Sequence, residues 1–266
     1  MKGPQLLEEQ TGRLATRMGA CFPGERVVFR GHDLHASLKD LDWLGLYLFG
    51  ITGRRFAPQQ MSVLQVMWSY TSYPDARIWN NRVAALAGTA RSTASLSMTA
   101  ALAVSDARIY GGHTFMRAIK FLLEARLGVE RGEPLADLVA AALRVGYIMG
   151  FGRPIISSDE RIEPMMALLR DNGLNRGSHV ELAFSVENIL VSRNPSLRIN
   201  YAGLTAAVAA DFGLSPREYY LFMIPAFLAG MPPCYLEAAE RPAGLLFPLP
   251  CRVMHYEGVP RRRWRR

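Results

Sequence analysis

Apolar residues recur at helical spacing along most of this chain, and glycine, proline or short polar breaks separate the segments they mark. The pattern predicts helices over residues 8–20, 38–49, 58–70, 82–103, 113–127, 134–148, 161–171, 178–192 and 204–212. Another begins at Ser215-Pro216, and a short one follows a Pro-Pro break over 232–239. Pro58 stands at the first position of its helix, and Gly50 and Gly53 end the helix before it. The segment 82–103 is crowded with Ala, Ser, Thr and Gly, which let helices approach closely. It is expected to be the most buried helix or to lie at a subunit interface. Only Arg26-Val-Val-Phe29 reads as a strand, with 245–254 extended near the end. The expected class is all-α, with about ten helices and one or two short strands. The connections are short, no linker stands out, and no 20–50-residue self-similarity suggests a solenoid.

Composition narrows this picture. At 266 residues, half of them hydrophobic and 20% charged, the chain has enough apolar material for a sizeable core. The net charge is +8, but the last six residues carry five arginines, and +3 remains without them. The excess describes a basic tail, not a nucleic-acid surface. Cys21, Cys234 and Cys251 are far apart and lack ligand spacing, so neither a metal site nor a disulfide framework is expected. The first 20 residues hold Glu8, Glu9, Arg13 and Arg17 and no apolar signal core, and Pro225, Pro232 and Pro233 interrupt the apolar run 219–236. A cytoplasmic protein without a membrane span is expected.

Candidate chemistry concentrates in Ile148-Met-Gly-Phe-Gly-Arg153-Pro-Ile-Ile-Ser-Ser-Asp159-Glu-Arg161-Ile162. Gly150 and Gly152 allow a tight turn and close approach to a ligand. Ser157-Ser158-Asp159 reads as an N-cap cluster with Glu160 in the following first turn. Arg153 and Arg161 bring positive charge to the same place. A glycine-rich loop entering a helix suits an anionic ligand; an ordinary helix connection with a capping glycine is the alternative.

Five motifs, in order, resemble the citrate synthase superfamily, in particular citryl-CoA lyase and the citrate-synthase-like module of ATP-citrate lyase. They are Phe29-Arg-Gly-His-Asp33, Tyr110-Gly-Gly-His113, Met149-Gly-Phe-Gly-Arg-Pro154 with Asp159-Glu-Arg161, Val186-Glu-Asn-Ile with Asn194-Pro-Ser-Leu-Arg-Ile-Asn200-Tyr-Ala-Gly203, and Tyr256-Glu-Gly-Val-Pro260. The resemblance implies an all-α homodimer with a large helical body (1–144 and 246–266), a smaller helical lobe (145–245) and an acyl-CoA cleft between them. It implies coenzyme A thioester as substrate, with no covalently bound cofactor.

The family's chemistry uses a carboxylate that removes a proton beside the thioester carbonyl, a histidine that donates to the enolate oxygen, and a second histidine that polarises the acceptor ketone. By resemblance these positions are Ala202, Tyr110 and Arg153. A substrate-binding arginine aligns with Phe227, and a further histidine with Cys234. Tyr110 can still donate a hydrogen bond, and ATP-citrate lyase also lacks histidine there. Arg153 remains a donor but cannot cycle a proton. Ala202 is the serious loss, since a methyl group takes no proton.

Each candidate has a structural reading beside the functional one. Tyr110 is an oxyanion donor or a packed tyrosine. His113 is a replacement acid–base group or a solvent-facing residue at a helix start. Arg161 binds a CoA phosphate or forms a helix ion pair. Asn200 and Tyr201 line the cleft beside Ala202. His32 with Asp33 is an orienting pair or a turn, and Cys234 a nucleophile or a buried structural thiol. The arginine tail reaches phosphates or is a loose end. Three functions follow: a divergent acyl-CoA enzyme that makes or breaks a carbon–carbon bond, as acyltransferase or lyase; a catalytically degenerate binding or scaffold subunit of the same fold; and a helical protein whose tail binds nucleic acid.

Overall fold

The structure is a computed structural model that describes residues 3–12, 15–153 and 158–259. The arginine tail and Pro154–Ser157 therefore lie outside the described residues. In chain order the elements are α1 (Pro4–Gln10), β1 (Gly19–Phe22), β2 (Arg26–Phe29), β3 (His32–Asp33), α2 (Trp43–Thr52), α3 (Pro58–Ser69), α4 (Trp79–Thr89) and α5 (Ala94–Val104). Then come α6 (Gly112–Glu130), α7 (Leu135–Val145), α8 (Ile162–Asp171), α9 (Ser178–Arg193), α10 (Tyr201–Asp211), α11 (Pro216–Met223) and α12 (Met231–Glu240). The class is all-α, as the periodicity predicts.

The chain divides into two compact units: Met1–Thr71 with Asp106–Ala226, and Ser72–Ser105 with Phe227–Arg266. These boundaries differ from the 1–144/145–245/246–266 division that the resemblance implies.

In the first unit α10 is the central helix. Tyr201 and every residue from Gly203 to Ala210 are buried. Ala206, Ala207, Ala209 and Ala210 keep its surface low, so α6 and α9 pack directly against it. Leu204 and Val208 are wholly enclosed, each burial stabilising by roughly 1.5–3 kcal/mol. Caps fix where the helices begin: Asp42 accepts the Gly45 amide at 2.6 Å, and Ser215 and Glu218 form a reciprocal capping box. Gly50 lies inside α2, not at its end; its missing Cβ makes room for the Phe29 ring, which an added Cβ would meet at 2.6 Å.

In the second unit α4, α5 and α12 pack together. Ala84, Ala101 and Met231 form one small core cluster and Ala85, Cys234 and Ala238 another. A Cβ on Gly88 would lie 2.4 Å from the Tyr235 carbonyl oxygen, so α4 and α12 touch backbone to side.

Several expectations are corrected. The helix over 8–20 stops at Gln10, because Thr11 and the positive-φ Gly12 close it, and Gly19–Phe22 instead pairs antiparallel with Arg26–Phe29 across the Pro23-Gly24 turn. The single helix over 82–103 is two helices. Arg91 adopts φ +60° between them, its guanidinium binds the carbonyls of Ala239 and Arg241 at the end of α12, and Thr93 caps α5. The most buried helix is α10. The 245–254 segment forms no strand; Pro248 and Pro250 lack donors, and Cys251–Val253 is a 3-10 turn. Among the described residues the helical run Pro216–Glu240 is long and apolar enough to cross a membrane, yet Tyr219, Phe222, Met223, Met231 and Cys234 in it are buried in the protein.

Candidate active site

The 150 loop is built against the start of α10. Gly150 has φ +97° and packs so tightly on Gly203 that a Cβ on either would lie within 2.6 Å of the other's backbone. The Gly150 carbonyl accepts the Asn200 amide at 2.9 Å, and the Gly152 amide donates to the Arg198 carbonyl at 2.7 Å. Asn200 has two tasks. Its Oδ1 caps α10 by accepting the Gly203 amide at 3.2 Å, and its Nδ2 donates to the Gly152 carbonyl at 2.8 Å. The glycines thus serve close backbone approach, and Gly150, Gly152, Asn200, Tyr201 and Ala202 meet in one place. Gly150 also reaches α6, where its Cβ would sit 3.4 Å from that of Ala118.

Asp159 organises the charges beside this junction. Its side chain is enclosed, and its Oδ2 accepts the Tyr201 amide at 2.9 Å. Arg161 grips it with two hydrogen bonds of 2.8 Å, Nε to Oδ1 and Nη2 to Oδ2, and lies 4.5 Å above the Tyr201 ring. Burial pushes the Asp159 carboxyl up, but the Arg161 guanidinium and the Tyr201 and Arg161 amides outweigh it, and the group is held below the usual carboxylate range. A carboxylate stabilised in this way is a weak base. Arg161 forms an ion pair, as one of the two readings expects, but with Asp159 two residues earlier and not across a helical turn. Asp159 and Glu160 precede α8, so they are not its first turn; the expected N-cap cluster gives no side-chain cap, and Ser157 lies outside the described residues.

Arg153 donates from Nη1 to Glu160 Oε2 at 2.6 Å and to the Ser158 carbonyl at 3.0 Å, with Asp159 Oδ1 3.8 Å away. Its positive charge is thus largely balanced within its own loop. Ala202 is half-buried in the first turn of α10, and Tyr201 is fully buried, its hydroxyl directed at the Val66 and Met67 carbonyls. Tyr201 is a core residue, not a lining one.

A second group forms at the start of α6. Asp106 and Gly111 bridge across the short loop that carries half-exposed Tyr110. Asp106 Oδ2 accepts the Tyr220 hydroxyl at 2.9 Å, and its Oδ1 lies 3.7 Å from His113 Nε2. Burial, then the hydrogen bond to Asp106 and its charge, raises the Tyr220 phenol above its ordinary value. Gly112 leaves room for this arrangement: a Cβ would fall 2.7 Å from both Asp106 Oδ1 and the Tyr220 ring, and those side chains would have to shift. The sequence singled out Tyr110 and His113 but missed Asp106 and Tyr220. A carboxylate just before a Gly-Gly helix start was a usable signal; the tyrosine, 114 residues away, was not.

Phe227 belongs to the other unit, where it packs on the Ala84, Ala101 and Met231 cluster. Cys234 is buried there too, its thiol pushed up by burial and then by Glu237 and Asp75, which makes it a poor nucleophile. Asp33 closes a turn by accepting the His35 and Ala36 amides, and His32 packs edge-on to Phe49. No group of three potential metal ligands occurs among the described residues.

No family model and no curated protein matches this sequence. Solved structures do match its fold. Citryl-CoA lyase from Hydrogenobacter thermophilus superposes with a TM-score of 0.81 at 18% identity, over 95% of this chain and 97% of that one. ATP citrate lyase from Methanothrix soehngenii, in complex with citrate and coenzyme A, gives 0.76 at 14% identity, over 98% of this chain and 45% of that one. A citrate synthase from Thermoplasma acidophilum, in a ternary complex with carboxymethyl coenzyme A and oxaloacetate, gives 0.64 at 16% identity, over 84% and 58%. The chain shares the all-α fold of these solved structures.

Proposed function

We propose that this protein binds an acyl-CoA thioester and acts with a carbonyl compound, making or breaking a carbon–carbon bond with an altered acid–base set. The observation that carries this reading is the end-to-end match to citryl-CoA lyase, which leaves almost none of either chain unpaired. By the resemblance, two of the substituted positions, Tyr110 and Arg153, retain hydrogen-bond donors. Tyr110 donates to a developing enolate oxygen, and Arg153 presents its remaining N–H groups to a carboxylate or thioester oxygen. Oxyanion stabilisation therefore survives the loss of the histidines, whereas proton transfer at Ala202 does not. The active form is proposed to be a homodimer.

Ala202 also favours a second reading, a binding subunit without turnover. An ATP citrate lyase from Methanosaeta concilii was solved as an Asp-to-Ala mutant in complex with (3S)-citryl-CoA, so in that protein losing a carboxylate is compatible with thioester binding.

Thermal unfolding with acetyl-CoA, longer acyl-CoAs and free CoA at millimolar levels tests both. Ligand at a hundred times Kd contributes about 2.7 kcal/mol and raises Tm measurably. No shift with any of them would refute both readings. Given binding, deuterium incorporation beside the thioester carbonyl in D2O identifies the enzyme, and its absence, with no thiol released from any keto acid, identifies the binding subunit.

A further inference from the structure

The proposed chemistry leaves one step without a residue: removal of the proton beside the thioester. Arg153 cannot take it, Asp159 is held ionised by Arg161, and Ala202 has no basic atom. The Asp106–His113–Tyr220 group at the start of α6 holds the parts that step needs. We propose that His113 is the base, with Asp106 as its positioning residue and Tyr220 fixing Asp106. This inference rests on the acyl-CoA reading above.

The geometry supports each role. Asp106 Oδ1 lies 3.7 Å from His113 Nε2, within ion-pair reach and beyond hydrogen-bond length, which leaves Nδ1 as the ring nitrogen not engaged by Asp106. Once Nδ1 is protonated, Asp106 stabilises the imidazolium as an ion pair. The Tyr220 hydroxyl at 2.9 Å on the other carboxylate oxygen sets its direction, and the absence of a side chain at Gly112 keeps the three groups together. His113 and Asp106 are each about half exposed, so imidazole remains within reach of a substrate. Tyr110, an enolate-oxygen donor in the proposed reaction, is three residues before His113. Five residues along α6 from His113 is Ala118, which meets Gly150; the two positions are roughly 7.5 Å apart along the axis and about 140° apart around it.

The step balances without any other reactant. The C–H bond beside the thioester carbonyl breaks, and its electron pair forms the enolate, whose oxygen accepts from Tyr110. The proton moves to His113 Nδ1. Return of a solvent-exchanged proton from Nδ1 regenerates the thioester, labelled when the solvent is D2O.

The test uses the full chain and acetyl-CoA in D2O, following label at the methyl group by NMR, with the acyl-CoA-induced Tm shift recorded for every variant. Expected results are a loss of exchange of about a hundredfold in His113→Gln and a smaller loss in Asp106→Asn, with an altered pH profile and an unchanged Tm shift. Asp106→Glu should recover part of the rate, and Tyr220→Phe should lower it with little change in KM. Exchange at the wild-type rate in His113→Gln would overturn the assignment and leave the acyl-CoA reading standing. A Tm shift without wild-type exchange would overturn it in favour of the binding subunit. No Tm shift would overturn the acyl-CoA reading itself.

Discussion

A carboxylate removed from water persists as an anion only where donors replace its hydration, and Asp159 has them in two directions. Arg161 supplies the charge and the Tyr201 amide ties the pair to the start of α10. Since the folded-state pKa lies below the ordinary 3.8, the stabilisation is complete above that value and is lost as pH falls through the lower, folded one. Asp159→Asn leaves Arg161 without its counter-charge in a largely enclosed position, and the expected cost at neutral pH is about 3 kcal/mol. Denaturant unfolding at a series of pH values should show the gap between variant and wild type closing below pH 3.8. A gap that stays constant down to the acid transition would show that the ionised form is not what Asp159 contributes. The sequence displayed the arginines and the acids as a charged cluster. It could not show that they neutralise one another, because the third member, the Tyr201 amide, is 42 residues away. A free anion-binding loop and a self-paired one look alike in sequence. His113 was legible as a candidate by contrast, because a helix-start histidine after two glycines is unusual locally.

Elements were more legible than contacts. Most helices begin and end within a few residues of their predicted positions, since Pro58, Gly53, Ser215-Pro216 and Gly213 act locally. The failures share a cause. The two helices α4 and α5 read as one because Arg91 is a good helix former, and what holds it at φ +60° is the end of α12, about 150 residues later. Gly203 shows the same limit. Within a helix, Gly→Ala ordinarily stabilises by up to about 1 kcal/mol. Here the added Cβ would fall 2.3 Å from the Gly150 carbonyl oxygen, a backbone atom pinned by the Asn200 amide. Gly203→Ala is therefore expected to destabilise by about 1–3 kcal/mol in urea unfolding. A variant as stable as wild type would mean that the 150 loop yields easily and is not fixed by α10.

At the scale of the whole molecule, Tyr110, Arg153 and the proposed base His113 lie in the unit built on α10, whereas Phe227 and Cys234 lie in the other. The two units have cores of different quality. The first encloses a helix buried over nearly its full length, while in the second the fully buried members of two described clusters are mostly alanine-sized and larger side chains such as Met98, Leu102 and Phe227 are only partly buried around them. Local opening should follow that difference, with α10 and α6 amides exchanging slowest and α5, which buries only Ser97 and Ala101, exchanging faster. Gly88→Ala sharpens the test. Its Cβ would fall 2.4 Å from the Tyr235 carbonyl oxygen, so the seam between α4 and α12 must open. Native-state hydrogen exchange should then lose protection across 72–105 and 227–259 while amides of α6 and α10 keep theirs. An equal loss in α10 would mean that the molecule opens as one cooperative body. In that case, changes in the second unit would reach the acid–base group through global stability. If protection is lost only in the second unit, Phe227 can be varied there without disturbing the residues proposed to move the proton.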